Sequence, residues 1–155
     1  MKLLIPFLGK TRESYLDAGI RDYAGRLSRF AAVELPVLRE RHNRKDADEA
    51  IKLAEAGQLL EQARGATIRV VLDPRGRAPD SEELAAMLTK WEEQGAATVC
   101  FLIGGHLGLH SSVLEQANLR LSLSRLTFTH EMTRLILLEQ LYRAWTIKAG
   151  HNYHK

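Results

Sequence analysis

What most limits the folds open to this chain is how short apolar runs alternate with longer amphipathic segments. "KLLIPF", "AVELPVL", "TIRVVLD", "TVCFLI" and "LRLSLS" are each of strand length. The stretches between them repeat apolar residues at helical spacing. Tyr15, Leu16, Ile20, Tyr23, Leu27 and Phe30 mark one helix, with Ser14 placed to cap it. Ala47, Ile51, Ala54, Leu59 and Ala63 mark a second, over Asp46 to Gln62. A third starts at Asp80 or Ser81, with Glu82 and Glu83 in its first turn, and Gly95 stops it. Strands alternating with helices predict an α/β fold with a mostly parallel sheet. Pro36 demotes "AVELPVL" towards an edge, and "PRGRAPD" reads as a loop. A short helix over Ser111 to Ala117 precedes "LRLSLS".

The last helix, roughly His130 to Thr146, is apolar nearly all round. Met132, Leu135, Ile136, Leu137, Leu138, Leu141, Tyr142 and Trp145 leave it little polar surface. Such a helix is buried on more than one face, and in a small protein the second face calls for a partner chain.

With 155 residues, 45% of them hydrophobic, and no linker or repeat, residues 1–155 read as one domain. The single cysteine, Cys100, rules out an internal disulfide and sits in an apolar run, as a buried thiol would. No run reaches membrane-spanning length, and "MKLLIPFLGK" lacks the features of a secretion signal. The expectation is a cytoplasmic protein without a membrane partner.

Ligands of open α/β sheets bind beyond the carboxyl ends of the strands. Three segments qualify: Leu72-Asp73, Gly104-Gly105, and Leu121 to Phe128. Paired glycines admit close backbone approach to a ligand, positive φ, or simply a tight turn. The chain has no GxGxxG, no GxxxxGK[ST] and no CxxC, so the usual dinucleotide and triphosphate cradles are absent. "HEMTR" lacks the second histidine of a zinc protease helix. His151 and His154 stand at i,i+3 without further ligands nearby, so no metal is expected.

Charge is placed unevenly. The whole chain carries +3, whereas Arg120 to Lys155 sets six basic residues against Glu131 and Glu139, a net +4. Arg39, Arg41, Arg44 and Lys45 add a second basic stretch. Such side chains neutralise phosphates without reading sequence, so nucleic acid is a candidate partner. Arg134 and Arg143 lie on an apolar helix, where a charge needs a partner or a ligand. Glu139 can pair with Arg143 at i,i+4.

"FLIGG", "LSLSRLTFTHEMTR" and "EQLYRAWTIKAGHNYHK", taken together, resemble the small bacterial SPOUT-class methyltransferases that act on pseudouridine in large-subunit ribosomal RNA. The resemblance covers the whole chain, including "LLIPFLGK". It implies a single-domain SPOUT fold with a C-terminal trefoil knot formed from about Ile103 onward, and a homodimer. It implies S-adenosylmethionine as cofactor, with Leu72, Gly104, Gly105, Leu123, Ser124, Arg125, Leu126, Thr127, Phe128 and Thr129 at the matching positions. It implies methylation of pseudouridine N3 in a stem-loop of 23S rRNA on the assembled ribosome, with the C-terminal tail taking part in recognition and catalysis. The family's usual prolines are replaced here by Thr129 and Asn152, and Asn152 implies a looser tail.

Methyl transfer from a sulfonium is an in-line displacement, so positioning supplies much of the acceleration. The imide proton must also leave, which calls for a base within reach. His154 is the first candidate, because imidazole titrates near neutrality. Tyr153 would orient the base or stack on it, or accept the proton itself if a neighbouring cation lowered its pKa. Arg143, with Arg125 and Arg134, could meet phosphates or uracil carbonyls, and His130 could contact cofactor or RNA. Two other readings are a SPOUT-class methyltransferase acting on another RNA such as tRNA, and a non-catalytic ribosome-binding protein that kept the fold.

Overall fold

The computed structural model describes residues 1–155, except for the side chain of His154. In chain order the elements are β1 (Lys2–Leu4), β2 (Phe7–Leu8), α1 (Ser14–Leu27), β3 (Ala32–Glu34), β4 (Val37–Leu38), α2 (Asp48–Gln62), β5 (Ile68–Arg77), α3 (Ser81–Glu93), β6 (Thr98–Leu102), α4 (Ser111–Glu115), β7 (Leu119–Leu121) and α5 (His130–Lys148). Five strands form one parallel sheet in the order β3-β1-β6-β5-β7, and β2 pairs with β4 beside it.

The strands read as unbroken apolar runs because helices cover both faces of the sheet. Alternate residues feed two cores. Leu3, Val70, Val99 and Phe101 pack with Ile20 and Leu27 of α1, Leu84 and Leu88 of α3, and Leu137, Leu138 and Leu141 of α5. Leu4, Val71, Cys100 and Leu102 pack with Ala56 and Leu59 of α2 and Val113 of α4.

Three local expectations need correction. "AVELPVL" is not one strand: it breaks at Leu35-Pro36 into β3 and β4, and the Pro36 carbonyl accepts from the Phe7 N–H. Ser14 does not cap α1. Glu13 holds the cap position, and the capping oxygen comes from across the fold: Glu131 Oε1 accepts from the N–H groups of Arg12 (2.6 Å) and Glu13 (3.1 Å). "PRGR" is not simply loop. β5 pairs with β7 up to Leu72, leaves it, and rejoins it at Arg77, so Leu121 faces both residues. Asp73 to Gly76 therefore bows around the β7 chain, and a β-carbon on Gly76 would stand 2.5 Å from the Arg120 carbonyl oxygen. Part of the apolar surface of α5 that pointed to a partner chain is covered within the single chain. The helix packs against both α1 and α3, and Leu137, Leu138, Leu141 and Ala144 are fully buried within the one chain.

Asp80 caps α3 in a capping box with Glu83. Cys100 is buried. No helix is long and apolar enough to cross a membrane.

Candidate active site

The carboxyl ends of β5, β6 and β7 open on a cleft of about 630 Å³, within the range of small-molecule sites. Leu72, Asp73, Pro74 and Arg75 form one wall and residues 103–109 a second. Leu123, Ser124, Leu126, Thr127 and Phe128 form a third, and His130 and Thr133 of α5 close one end. The three segments chosen from strand order thus meet in one place.

Of the residues expected there, Leu72, Gly104, Gly105, Leu123, Ser124, Leu126, Thr127 and Phe128 line the cleft; Arg125 and Thr129 do not. Arg125 is exposed. Thr129 is the N-cap of α5, its hydroxyl accepting from the Met132 N–H at 3.2 Å. Its φ of −59° lies where proline would also sit, so threonine exchanges a rigid ring for a capping oxygen. The 123–128 wall is held by its own serines. Ser122 Oγ donates to the Ser124 carbonyl (2.9 Å), and Ser124 Oγ accepts from the Leu126 N–H (3.0 Å).

The glycine pair is required for space, not for a left-handed backbone. Neither Gly104 nor Gly105 has positive φ; the turn's left-handed residue is Gly108, at +84°. A β-carbon on Gly104 would stand 2.9 Å from the Gly108 backbone, and one on Gly105 would stand 2.7 Å from Glu55 Oε1. Protein atoms already fill the room the glycines leave.

Asp73 is buried at the rim. Burial pushes its pKa up, but the N–H (3.0 Å) and Nε (3.3 Å) of Arg75 outweigh that and hold it below the usual carboxylate range. His130 is pushed the other way from a free imidazole: burial, then the Arg134 charge, lower its pKa, so it is neutral at pH 7. Strand-end reasoning located Asp73, whereas Arg75 and His106 carry no signal in the sequence that marks them as lining residues.

The tail forms a second cluster. Arg143 pairs with Glu139, as their spacing predicted. The Arg143 guanidinium lies 5.1 Å from the centre of the Tyr153 ring, which meets Tyr142 edge-on at 4.7 Å. The Tyr153 hydroxyl donates to Glu139 Oε1 (3.2 Å) and lies 3.0 Å from that of Tyr23. In the single chain the Tyr153 pKa is not lowered, as a proton-accepting role would need. Burial, the Tyr23 hydrogen bond and the Glu139 charge all push it up. His154, the first candidate base, lies outside the described side chains. Neither Arg143 nor Tyr153 lines the cleft of its own chain. Among the described residues Arg134 is buried without a salt bridge, its guanidinium donating to the Leu8 carbonyl and Thr11 Oγ1 and lying 4.5 Å from the centre of the Phe7 ring. That is a bolt between α5 and the loop after β2, not a phosphate contact.

The family model described as "Predicted SPOUT methyltransferase" matches residues 1–154. The chain belongs to the SPOUT methyltransferase family. Proteins named ribosomal RNA large subunit methyltransferase H align with this SPOUT chain over its whole length and theirs, at 46% identity in Desulfotalea psychrophila and 40% in Streptococcus pneumoniae. A probable methylase family protein from Haemophilus influenzae superposes with a TM-score of 0.58 at 12% identity, over 99% of this chain and 70% of its own. A probable methyltransferase from Bordetella pertussis gives 0.56 at 15% identity, over 92% and 94%. At those identities the two structures speak for the SPOUT fold alone. Among the described residues, no three His, Cys, Asp or Glu side chains gather as metal ligands.

Proposed function

We propose that this protein is an S-adenosylmethionine-dependent methyltransferase of large-subunit rRNA, acting on N3 of a pseudouridine in a stem-loop of the assembled ribosome. The observation that carries the reading is the cleft at the carboxyl ends of β5, β6 and β7, in a chain that matches rRNA large subunit methyltransferases end to end.

The cleft suits the cofactor. Its walls are short backbone loops at 103–109 and 123–128 with Leu72, Leu123 and Leu126 among them, offering carbonyl and N–H groups beside apolar surface. Gly104, Gly105 and Leu123 to Phe128 would hold the nucleoside, and Asp73 offers a carboxylate at the rim. When bound, S-adenosylmethionine supplies a methyl carrying the positive charge of a sulfonium. The protein's part is to fix the acceptor nitrogen in line with it and to take up the imide proton.

Cytoplasmic location and a homodimer belong to the same proposal. Met132, Leu135 and Ile136 of α5 are only partly buried in the single chain, a beginning for an interface. A dimer also brings the tail into use, because Tyr153 and Arg143 stand outside their own chain's cleft. Tyr153 then orients the acceptor base and Arg143 holds Glu139 in place, while His154 takes the proton. The family's C-terminal knot is part of the proposal too, supported by the way Asp73 to Gly76 loops around β7.

The test is incubation with labelled cofactor and ribosomes that lack the modification, beside free large subunits and tRNA, followed by mapping of the labelled nucleotide. Label on a pseudouridine of the large-subunit RNA is the expected result. Label on tRNA alone, or none on any RNA, overturns it.

A further inference from the structure

Behind Gly105 lies a second cleft, of about 1170 Å³, that shares Gly105, His106 and His130 with the first. Its floor holds an anomaly. Glu55 of α2 is 7% exposed, and its Oε2 is buried without a hydrogen-bond partner among the described residues. His42 Nδ1, lining the same cleft, is likewise buried without one. A buried carboxylate oxygen with no donor is costly, and buried polar groups in native folds nearly always have a partner, so an orphan one calls for an explanation. The nearest groups make it neither an ion pair nor a metal site. Lys52, one turn earlier on α2, pairs with Glu49, and no metal-binding group of three ligands forms among the described residues. Burial pushes the Glu55 pKa up, while His42 and His106 pull it back down and Glu40 adds to the rise.

The rim has the opposite character. Lys10, Arg12, Arg39 and Arg44 line the cleft and are exposed, and they outnumber the two other carboxylates of the lining, Glu40 and Glu131. Cations at the edge suit phosphates, and a hydrogen-bond acceptor at the bottom suits a base edge turned inward, the way unstacked loop nucleotides are read. The imide edge of a uracil-type base presents one ring N–H between two carbonyls. Cytosine has no ring N–H to offer a carboxylate.

We propose that this second cleft seats a uracil-type nucleotide flanking the acceptor in the RNA loop, with the Glu55 carboxylate accepting its imide N–H, the His42 Nδ1–H answering a flanking carbonyl, and Arg12, Arg39 and Arg44 holding the neighbouring phosphates. The proposal rests on the methyltransferase reading, since the shared Gly105 wall is what puts the base beside the cofactor cleft. It also explains why position 105 is glycine: the carboxylate that would meet the base occupies the place of a side chain.

The experiment titrates uridine, cytidine and guanosine 5′-monophosphates into isotope-labelled protein saturated with S-adenosylmethionine. Dissociation constants are read from the Gly105 amide and His42 ring resonances. Uridine monophosphate should perturb both and bind about tenfold tighter than the other two, and Glu55→Gln should remove that preference while cofactor affinity stays within twofold. On ribosomes, Arg39→Ala with Arg44→Ala should raise KM about tenfold at unchanged kcat. Equal binding of all three nucleotides, no perturbation at Gly105, or parent discrimination in Glu55→Gln overturns the proposal. If Glu55→Gln does not fold, the arginine pair decides, and an unchanged KM overturns it. Should uridine monophosphate bind here but no RNA be methylated by the parent protein, the methyltransferase reading fails and the cleft assignment stands. Methylation with parent kcat/KM by a folded Glu55→Gln leaves the reading standing and removes the assignment.

Discussion

A β-carbon on Gly105 would stand 2.7 Å from Glu55 Oε1, so the loop after β6 and the middle of α2 fit only because residue 105 has no side chain. The same logic ranks the glycines. At Gly76 an added methyl meets the Arg120 carbonyl at 2.5 Å, and at Gly104 it meets the Gly108 backbone at 2.9 Å; neither obstacle can swing away. At Gly105 the obstacle is a side-chain end. Gly76→Ala and Gly104→Ala should each cost about 1–3 kcal/mol, the scale of overpacking, and Gly105→Ala less. Gly57, exposed within α2 with nothing within 4 Å of its added carbon, is the control. Gly57→Ala should stabilise by up to about 1 kcal/mol. Urea denaturation of the four variants checks the order, and an equally stable Gly76→Ala would contradict it.

The tail should separate binding from turnover. Tyr153 is anchored to Tyr23, Glu139 and Tyr142, none of which lines the cofactor cleft. Deleting residues 153–155 should therefore leave S-adenosylmethionine affinity within twofold while methyl transfer to ribosomes falls at least a hundredfold. Calorimetry and a labelled-methyl assay measure the two. A truncated protein that turns over at the parent rate would remove the tail from the mechanism.

Much of this arrangement was legible in the sequence, and the parts that were not have identifiable causes. Short apolar runs and helical spacing placed the main elements, because the central strands are covered on both faces and α1 to α3 each bury one stripe. Strand-end reasoning found most of the cofactor cleft for the same topological reason. Long-range hydrogen bonds defeated it elsewhere: Glu131 caps α1 from 118 residues away, and no local pattern could say so. Ser14 looked like the cap because capping is usually local. Glu55 does leave a trace in the sequence. It falls four residues after Ile51 and four before Leu59, inside the buried stripe of α2, where a carboxylate is out of place. The tail's charges were readable, but the burial and the Tyr23 and Glu139 contacts that raise the Tyr153 pKa depend on the chain folding back, which spacing does not show.

Cys100 should be inert until the protein unfolds. It is fully buried with Leu4 and Val71 in the second core, and burial pushes its thiol up to about 12. Thiolate is the reactive form, so both access and ionisation are withheld. A colorimetric disulfide reagent at pH 8 should label less than a tenth of the native protein over the time in which the urea-unfolded chain reacts fully. Rapid labelling of native protein would show that β6 opens locally.

His130 links stability to mild acid. Burial is the largest influence on it, followed by the Arg134 charge; His106 and Arg12 act in the same direction and only Glu131 opposes them. The folded-state pKa therefore lies below the ordinary value of about 6.5. In that window the unfolded chain binds the proton and the folded chain does not. The stabilisation is fully present above the unfolded pKa and declines as pH falls below it towards the folded value. Urea unfolding at pH 7.5 and pH 5.5 should show a drop for the parent protein that shrinks in His130→Gln, whatever the variant's stability at the higher pH. The comparison is a difference of differences, so packing lost in the substitution cancels. A drop of equal size in parent and variant would place the titrating group elsewhere in the chain.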